Sequence, residues 1–184
     1  MHRGWARLPA AVSDDAVGRL ADARQASWKP LPPEEGVVRQ HGFGSYVPFE
    51  DAGVAVHELA ARIVGQLAGA AAPGTPVLPP FNEATWTHYP AGLGHISQHR
   101  DPPAYTGIIV VTTLLGEARF VACSDGGDQQ EWLTSTGDIV LLTGCGWPTD
   151  RSRCPVHAVD PPAATDRMIL TLRSNARGAG ADYL

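Results

Sequence analysis

The chain has almost no lysine: Lys29 stands alone, and the other thirteen basic residues are arginines. With 19 acidic against 14 basic side chains, the formal net charge is −5. A broad nucleic-acid footprint needs a basic surface that displaces counterions from phosphates. This balance disfavours such a footprint and leaves room only for a local basic groove. Cysteine is also scarce. Cys123, Cys145 and Cys154 are separated by 22 and 9 residues and form no Cys-x-x-Cys pair, so a structural zinc knuckle is unsupported. An odd cysteine count, behind a first stretch ("MHRGWARLPAAVSDDAVGRL") with early acids and no apolar h-region, predicts reduced thiols in a cytoplasmic protein. No run approaches the roughly 18 apolar residues needed to span a bilayer.

What the chain does have is glycine and proline, 20 and 16 in 184 residues, with 43% apolar and 18% charged content. That is enough apolar residue for a core, in a fold of short elements joined by many turns. One domain over 1–184 is expected, with 1–36 as an N-terminal extension, 37–80 as a strand, turn and supporting helix, and 81–174 as the core. "SDDAVGRLADARQAS" (13–27) reads as a helix with Ser13 as N-cap and acids in its first turn. In 50–70, Val56, Leu59, Ala60, Ile63, Val64 and Leu67 recur at helical spacing. "APGTPVLPP" then ends the helix. From Phe81 onward come eight short β-type runs, from "EATWTHY" to "RMILTLRS", separated by Gly, Asp and Pro. The pattern predicts an α+β chain: a double-stranded β-helix (jelly roll) core with the N-terminal helices packed on one sheet.

"GHISQHRDPP" (94–103) holds the first sign of chemistry. On a strand, alternation sends His99 and Asp101 to one face and Arg100 to the other. His157, in "CPVHAV", is the expected third ligand. Two imidazoles and a carboxylate on one side of an ion are the facial set that suits non-haem Fe(II) and leaves positions open for a cosubstrate and O2. His95 has the same parity as His99 and stays a secondary candidate, while His2, His41 and His57 read as surface or satisfied polar groups.

"RMILTLR" supplies the support. Alternation places Arg167, Ile169, Thr171 and Arg173 on one face and Met168, Leu170 and Leu172 on the other. A buried guanidinium is costly unless it meets an anion, and its planar fork matches a carboxylate. Two such arginines after the third ligand imply a dicarboxylate near the metal, and 2-oxoglutarate fits.

"FNEATWTHYPAGLGHISQHRD", "LLGEARFVA", "GDIVLLTG", "PVHAV" and "RMILTLR", in this order, resemble the AlkB-like Fe(II)/2-oxoglutarate dioxygenases, as does "RQHGFGSY" upstream. The resemblance covers about residues 37 to 174. It implies His99, Asp101 and His157 as iron ligands. Tyr89, Arg167, Arg173 and Thr171 are implied on the 2-oxoglutarate side, with Arg167 at the distal carboxylate. The chain departs from the family's pattern in five places, one of them the ten-residue step from Tyr89 to His99, one longer than in the repair enzymes. Thr87 stands for the usual Asn two before the Tyr, and Ile169 for an Asn between the arginines. His41 replaces an aromatic, and Pro102–Pro103 lie where base-repair members carry acids.

The activity implied is oxidative decarboxylation of 2-oxoglutarate coupled to hydroxylation or oxidative demethylation, with a small-molecule metabolite as substrate. Phe43, Tyr46, Trp147, Arg151 and Arg153 are the expected substrate contacts. The alternatives are an AlkB-type demethylase of alkylated nucleic acid and a non-catalytic metal-binding jelly roll. The proline pair and the acidic balance favour the metabolite.

Overall fold

The computed structural model describes residues 4–24, 27–147 and 153–180. The first strand, β1 (Trp5–Leu8), precedes helix α1 (Asp14–Asp22). Short pieces follow: β2 (Lys29–Pro30), β3 (Glu34–Glu35), β4 (Val38–His41) and β5 (Phe43–Pro48). A 3-10 turn over Phe49–Asp51 leads into helix α2 (Val54–Ala70). The remaining strands are β6 (Glu83–Tyr89), β7 (His95–His99), β8 (Tyr105–Leu115), β9 (Glu117–Cys123), β10 (Gln129–Ser135), β11 (Ile139–Thr143), β12 (Val156–Val159) and β13 (Arg167–Asn175). All eight runs expected after Phe81 are strands. β1 is a strand that the four-residue run "WARL" is too short to announce.

The strands form two sheets, one of seven in the order β1-β11-β8-β13-β6-β5-β2 and one of six in the order β10-β9-β12-β7-β4-β3. Among the described residues the paired strands run antiparallel. This is a jelly roll. Alternation divides each strand of the large sheet between two apolar clusters. One cluster joins Ala84, Trp86, Val110, Leu141, Leu170 and Leu172 to Val17 and Leu20 of α1 and Val56, Leu59 and Ile63 of α2. The Trp86 indole N–H donates to the Leu20 carbonyl at 2.9 Å, fixing α1 over the sheet. The other cluster lies between the sheets and holds Tyr89, Tyr105, Ile109, Val111, Phe120, Val159 and Ile169. Inward positions on β6 and β13 are thereby set: Glu83, Thr85, Thr87 and Tyr89 face Arg173, Thr171, Ile169 and Arg167 in register.

Among the described residues no helix is long and apolar enough to cross a membrane. The expectation of three reduced thiols is corrected: Cys145 and Cys154 are joined in a disulfide, with Cα atoms 4.8 Å apart, and Cys123 is free. The cause is local. The Gly144–Gly146 turn is bonded to β8, with Gly144 N–H on the Gly107 carbonyl and Gly146 N–H on the Tyr105 carbonyl. It brings the end of β11 beside the residues that start β12. A Cys-x-x-Cys criterion cannot detect this return of the chain.

Candidate metal and cosubstrate site

β7 and β12 are neighbours, and His99 and His157 are register partners across them. Their rings lie with centroids 4.2 Å apart. Asp101 sits two residues beyond His99, and its Oδ2 is 3.7 Å from His157 Nε2. One ligand atom from each of the three lies within 4.8 Å of the others. The rest of each imidazole is already committed. His99 Nδ1 donates to the Ser97 carbonyl at 2.9 Å, and His157 Nδ1 to the Pro155 carbonyl at 3.4 Å. A carbonyl can only accept, so the proton sits on Nδ1 and the Nε2 lone pairs face inward. Phe120 stacks on His157, with planes 5° apart and centroids at 5.8 Å, and restricts its ring. Burial pushes the His157 imidazolium down to about 4, against the attraction of Asp101. A tautomerically fixed His pair beside a carboxylate fits a divalent ion such as Fe(II).

The chain also holds these ligands from behind. Arg100, pointing away from the triad, donates from Nε to the Cys154 carbonyl at 3.1 Å and pairs with Asp125. The strand of His99 is thus tied to the segment that leads into His157. Pro102 and Pro103 begin a turn in which the Tyr105 N–H bonds the Pro102 carbonyl at 3.0 Å, so Asp101 stands directly between a strand end and a rigid turn. Gly94 gives β7 its start. A Cβ there would lie 2.5 Å from Tyr89 Cα, so only glycine lets the chain pass this close behind Tyr89.

Arg167 is fully buried on β13. Its Nη2 donates to Thr113 Oγ1 at 3.3 Å and Thr134 Oγ1 at 3.2 Å. Among the described residues its Nε and Nη1 have no hydrogen-bond partner. Tyr89, its register partner on β6, is 5% exposed, with the guanidinium 5.9 Å from its ring centroid. Burial drives Arg167 down to about 10, though it keeps its charge at neutral pH. A buried cation with two orphan donors and only hydroxyl neighbours is an incomplete anion site. The Tyr89 phenol is raised by burial, while it feels the positive fields of Arg167 and Arg173 and the negative field of Asp101. Those charges therefore lie near enough to Tyr89 to act on it.

Thr171 faces inward on β13 opposite Thr85. Arg173 also faces inward, but with a partner: Glu83 Oε2 lies 3.6 Å from its Nε. Tyr46 points to the same end, where burial and then the charge of Glu83 raise its phenol. Phe43 is corrected. It pairs with His88, and the two rings lie 6.0 Å apart on the face of the large sheet opposite Tyr89. A one-residue change in strand parity accounts for it. Trp147 is half-buried in the turn after β11, its ring near Gly107. Arg153 is exposed, and Arg151 lies outside the described residues. His95 is outside the triad, with Nδ1 donating to the Leu93 carbonyl. Sequence reasoning missed Thr113, Thr134, Phe120 and Glu83. Parity with Tyr89 within "EATWTHY" was the available signal for Glu83.

No family model and no curated protein matches the chain. Solved structures do. A prolyl-4-hydroxylase of Pseudomonas putida superposes with a TM-score of 0.69 at 19% identity, over 94% of this chain and 93% of that one. An oxidoreductase of the 2OG-Fe(II) oxygenase family from Burkholderia pseudomallei gives 0.70 at 16%, over 96% and 87%. OsALKBH1 gives 0.63 at 16%, over 95% and 98%. At these identities the likeness is one of architecture: this chain shares the jelly-roll fold of those structures.

Proposed function

We propose that this protein is an Fe(II)- and 2-oxoglutarate-dependent oxygenase that hydroxylates or oxidatively demethylates a small-molecule metabolite. The observation that carries the reading is the pairing of a metal-ligating group with a buried guanidinium in one jelly roll. His99, Asp101 and His157 offer three converging ligand atoms to a cation, and Arg167, buried with two donors unmatched among the described residues, offers them to an anion. A metal-chelating dicarboxylate completes both. Bound iron with 2-oxoglutarate and O2 supplies C–H oxidation, releasing succinate and CO2. The protein's own residues orient and shield. His99, Asp101 and His157 hold one face of the ion. Arg167, with Thr113 and Thr134 behind it, takes the distal carboxylate, and Tyr89 closes the wall between. Thr171 lines the same inward row.

The metabolite reading is supported by the net charge of −5 and the proline turn after Asp101. Tyr46 and Trp147 remain as substrate contacts. The test is anaerobic addition of Fe(II) and 2-oxoglutarate, which should give the weak visible band of the chelate. A metabolite screen for stimulated succinate release then identifies the substrate class. Absence of the band together with absence of tight metal binding would leave only a non-catalytic module. Efficient demethylation of methylated single-stranded DNA at moderate salt would replace the metabolite with nucleic acid.

A further inference from the structure

The two inward arginines of β13 are in different electrostatic states. Arg167 meets only hydroxyls, whereas Arg173 meets a carboxylate. Glu83, its register partner on β6, is 0% exposed and places Oε2 3.6 Å from Arg173 Nε. The pair is held from several sides. Glu83 Oε1 accepts from Asn175 Nδ2 at 2.9 Å and from the Gly180 backbone N–H at 3.1 Å. Arg173 Nη2 donates to Thr85 Oγ1 at 2.9 Å, and its guanidinium lies 4.5 Å from the Tyr105 ring centroid. Asn82 ties the same end of the sheet, with Nδ2 on the Asn175 carbonyl at 2.9 Å and Oδ1 accepting the Asn175 N–H at 2.8 Å. A carboxylate fixed this firmly does not swing away when another anion arrives.

We propose that Glu83 is a positioning residue that reserves Arg173, so that the cosubstrate is gripped by Arg167 and the metal alone. This rests on the oxygenase reading above. The consequence concerns affinity. In the low-dielectric interior the field of a buried cation reaches its neighbours strongly, and Tyr89 feels both arginines. Glu83 cancels one of the two positive charges that a dicarboxylate would otherwise meet. The cavity therefore holds 2-oxoglutarate, and the dicarboxylate product succinate, less tightly than two bare arginines would.

The experiment is an anaerobic titration of 2-oxoglutarate into the Fe(II)-loaded protein, read by the chelate band. Glu83→Gln keeps an acceptor for Asn175 and Gly180, removes the charge and puts an amide N–H2 in place of the oxygen that faces Arg173. It should tighten 2-oxoglutarate about tenfold and make succinate a correspondingly stronger competitor, with Fe(II) affinity unchanged. A purely structural Glu83 would give unchanged or weaker binding in that variant, and either result overturns the proposal. The double variant Glu83→Gln/Arg173→Gln restores a neutral pair and should return to within about threefold of the wild type. If Arg173 were itself a cosubstrate ligand, the double variant would bind far more weakly, which also overturns the proposal. It stays decisive if the single variant does not fold. Failure of the wild type to form the chelate removes the oxygenase reading and this inference with it; a wild-type chelate with no gain in Glu83→Gln removes this inference alone.

Discussion

His99 and His157 face each other across paired antiparallel strands, each with its Nδ1 proton spent on a backbone carbonyl two residues earlier. The metal-facing nitrogens are thus set by the backbone. Replacing His99, His157 or Asp101 by alanine is expected to lower Fe(II) affinity by roughly 100-fold or more, since loss of outer-shell support alone costs about 10–100-fold. Isothermal titration with Fe(II) under anaerobic conditions measures it, and retained turnover in any of the three would remove the ligand assignment.

On the proposed reading, Arg167 would support binding at the expense of stability. Its orphan Nε and Nη1 are buried without a partner, which costs about 1–3 kcal/mol relative to a satisfied site. Arg167→Met should raise the melting temperature of the ligand-free protein and lower 2-oxoglutarate affinity by about 100-fold, with Fe(II) binding intact. A destabilised Met variant would show that the guanidinium is satisfied in solution.

The acid limb of stability is expected to depend on Asp138. Burial alone would raise its carboxyl, but hydrogen bonds from the Ser135 and Ala10 backbone and from Arg7 outweigh this, and its pKa lies below the ordinary value. Arg7 Nη2 donates at 2.8 Å, and the Ala10 N–H at 2.8 Å. Because the folded pKa is the lower one, the unfolded chain takes up the proton first as pH falls. The contribution is therefore complete above about pH 5, starts to fade near the unfolded value of about 3.9, and is gone below the folded value. Asp138→Asn should cost about 2–3 kcal/mol at pH 7 and flatten the loss of stability below pH 4. Denaturant melts at pH 3, 4 and 7 resolve the two effects.

The disulfide closes a short loop, its cysteines nine residues apart. Loop-closure entropy assigns such a link about 2–3 kcal/mol. Reductant, or Cys154→Ser, should lower the melting temperature by several degrees, and free-thiol titration should rise from one thiol to three on reduction and to two in the variant. An unchanged melting temperature on full reduction would show that the segment is held by its backbone bonds to β8 alone.

The sequence revealed most where parity or period was strong. "RMILTLR" alternates cleanly, and the structure turns Leu170 and Leu172 toward the helices and Arg167 and Ile169 toward the interior. His99, Asp101 and His157 converge, with Asp101 two residues past the end of β7 and not on the strand that parity assumed. Long-range pairing was hidden. Whether Arg173 meets Glu83 depends on β6 lying beside β13, a neighbour 90 residues away in the chain. Phe43 was misread because nothing local says which face of β5 turns inward. The return of Cys154 to Cys145 depends on a glycine turn docking on β8, which no spacing rule encodes.

β13 sits between β8 and β6, in the middle of the large sheet, although it is the last strand among the described residues. During synthesis its neighbours therefore wait with open edges until residues 167–175 have left the ribosome. Pairings of such sequence separation are slow to form and leave unpaired edges exposed meanwhile. Arg167 arrives on this closing strand, so the cation that would anchor the cosubstrate enters the cavity in the same step that seals it. A chain truncated before residue 167 would lack more than an arginine: its two half-sheets would have nothing to join them.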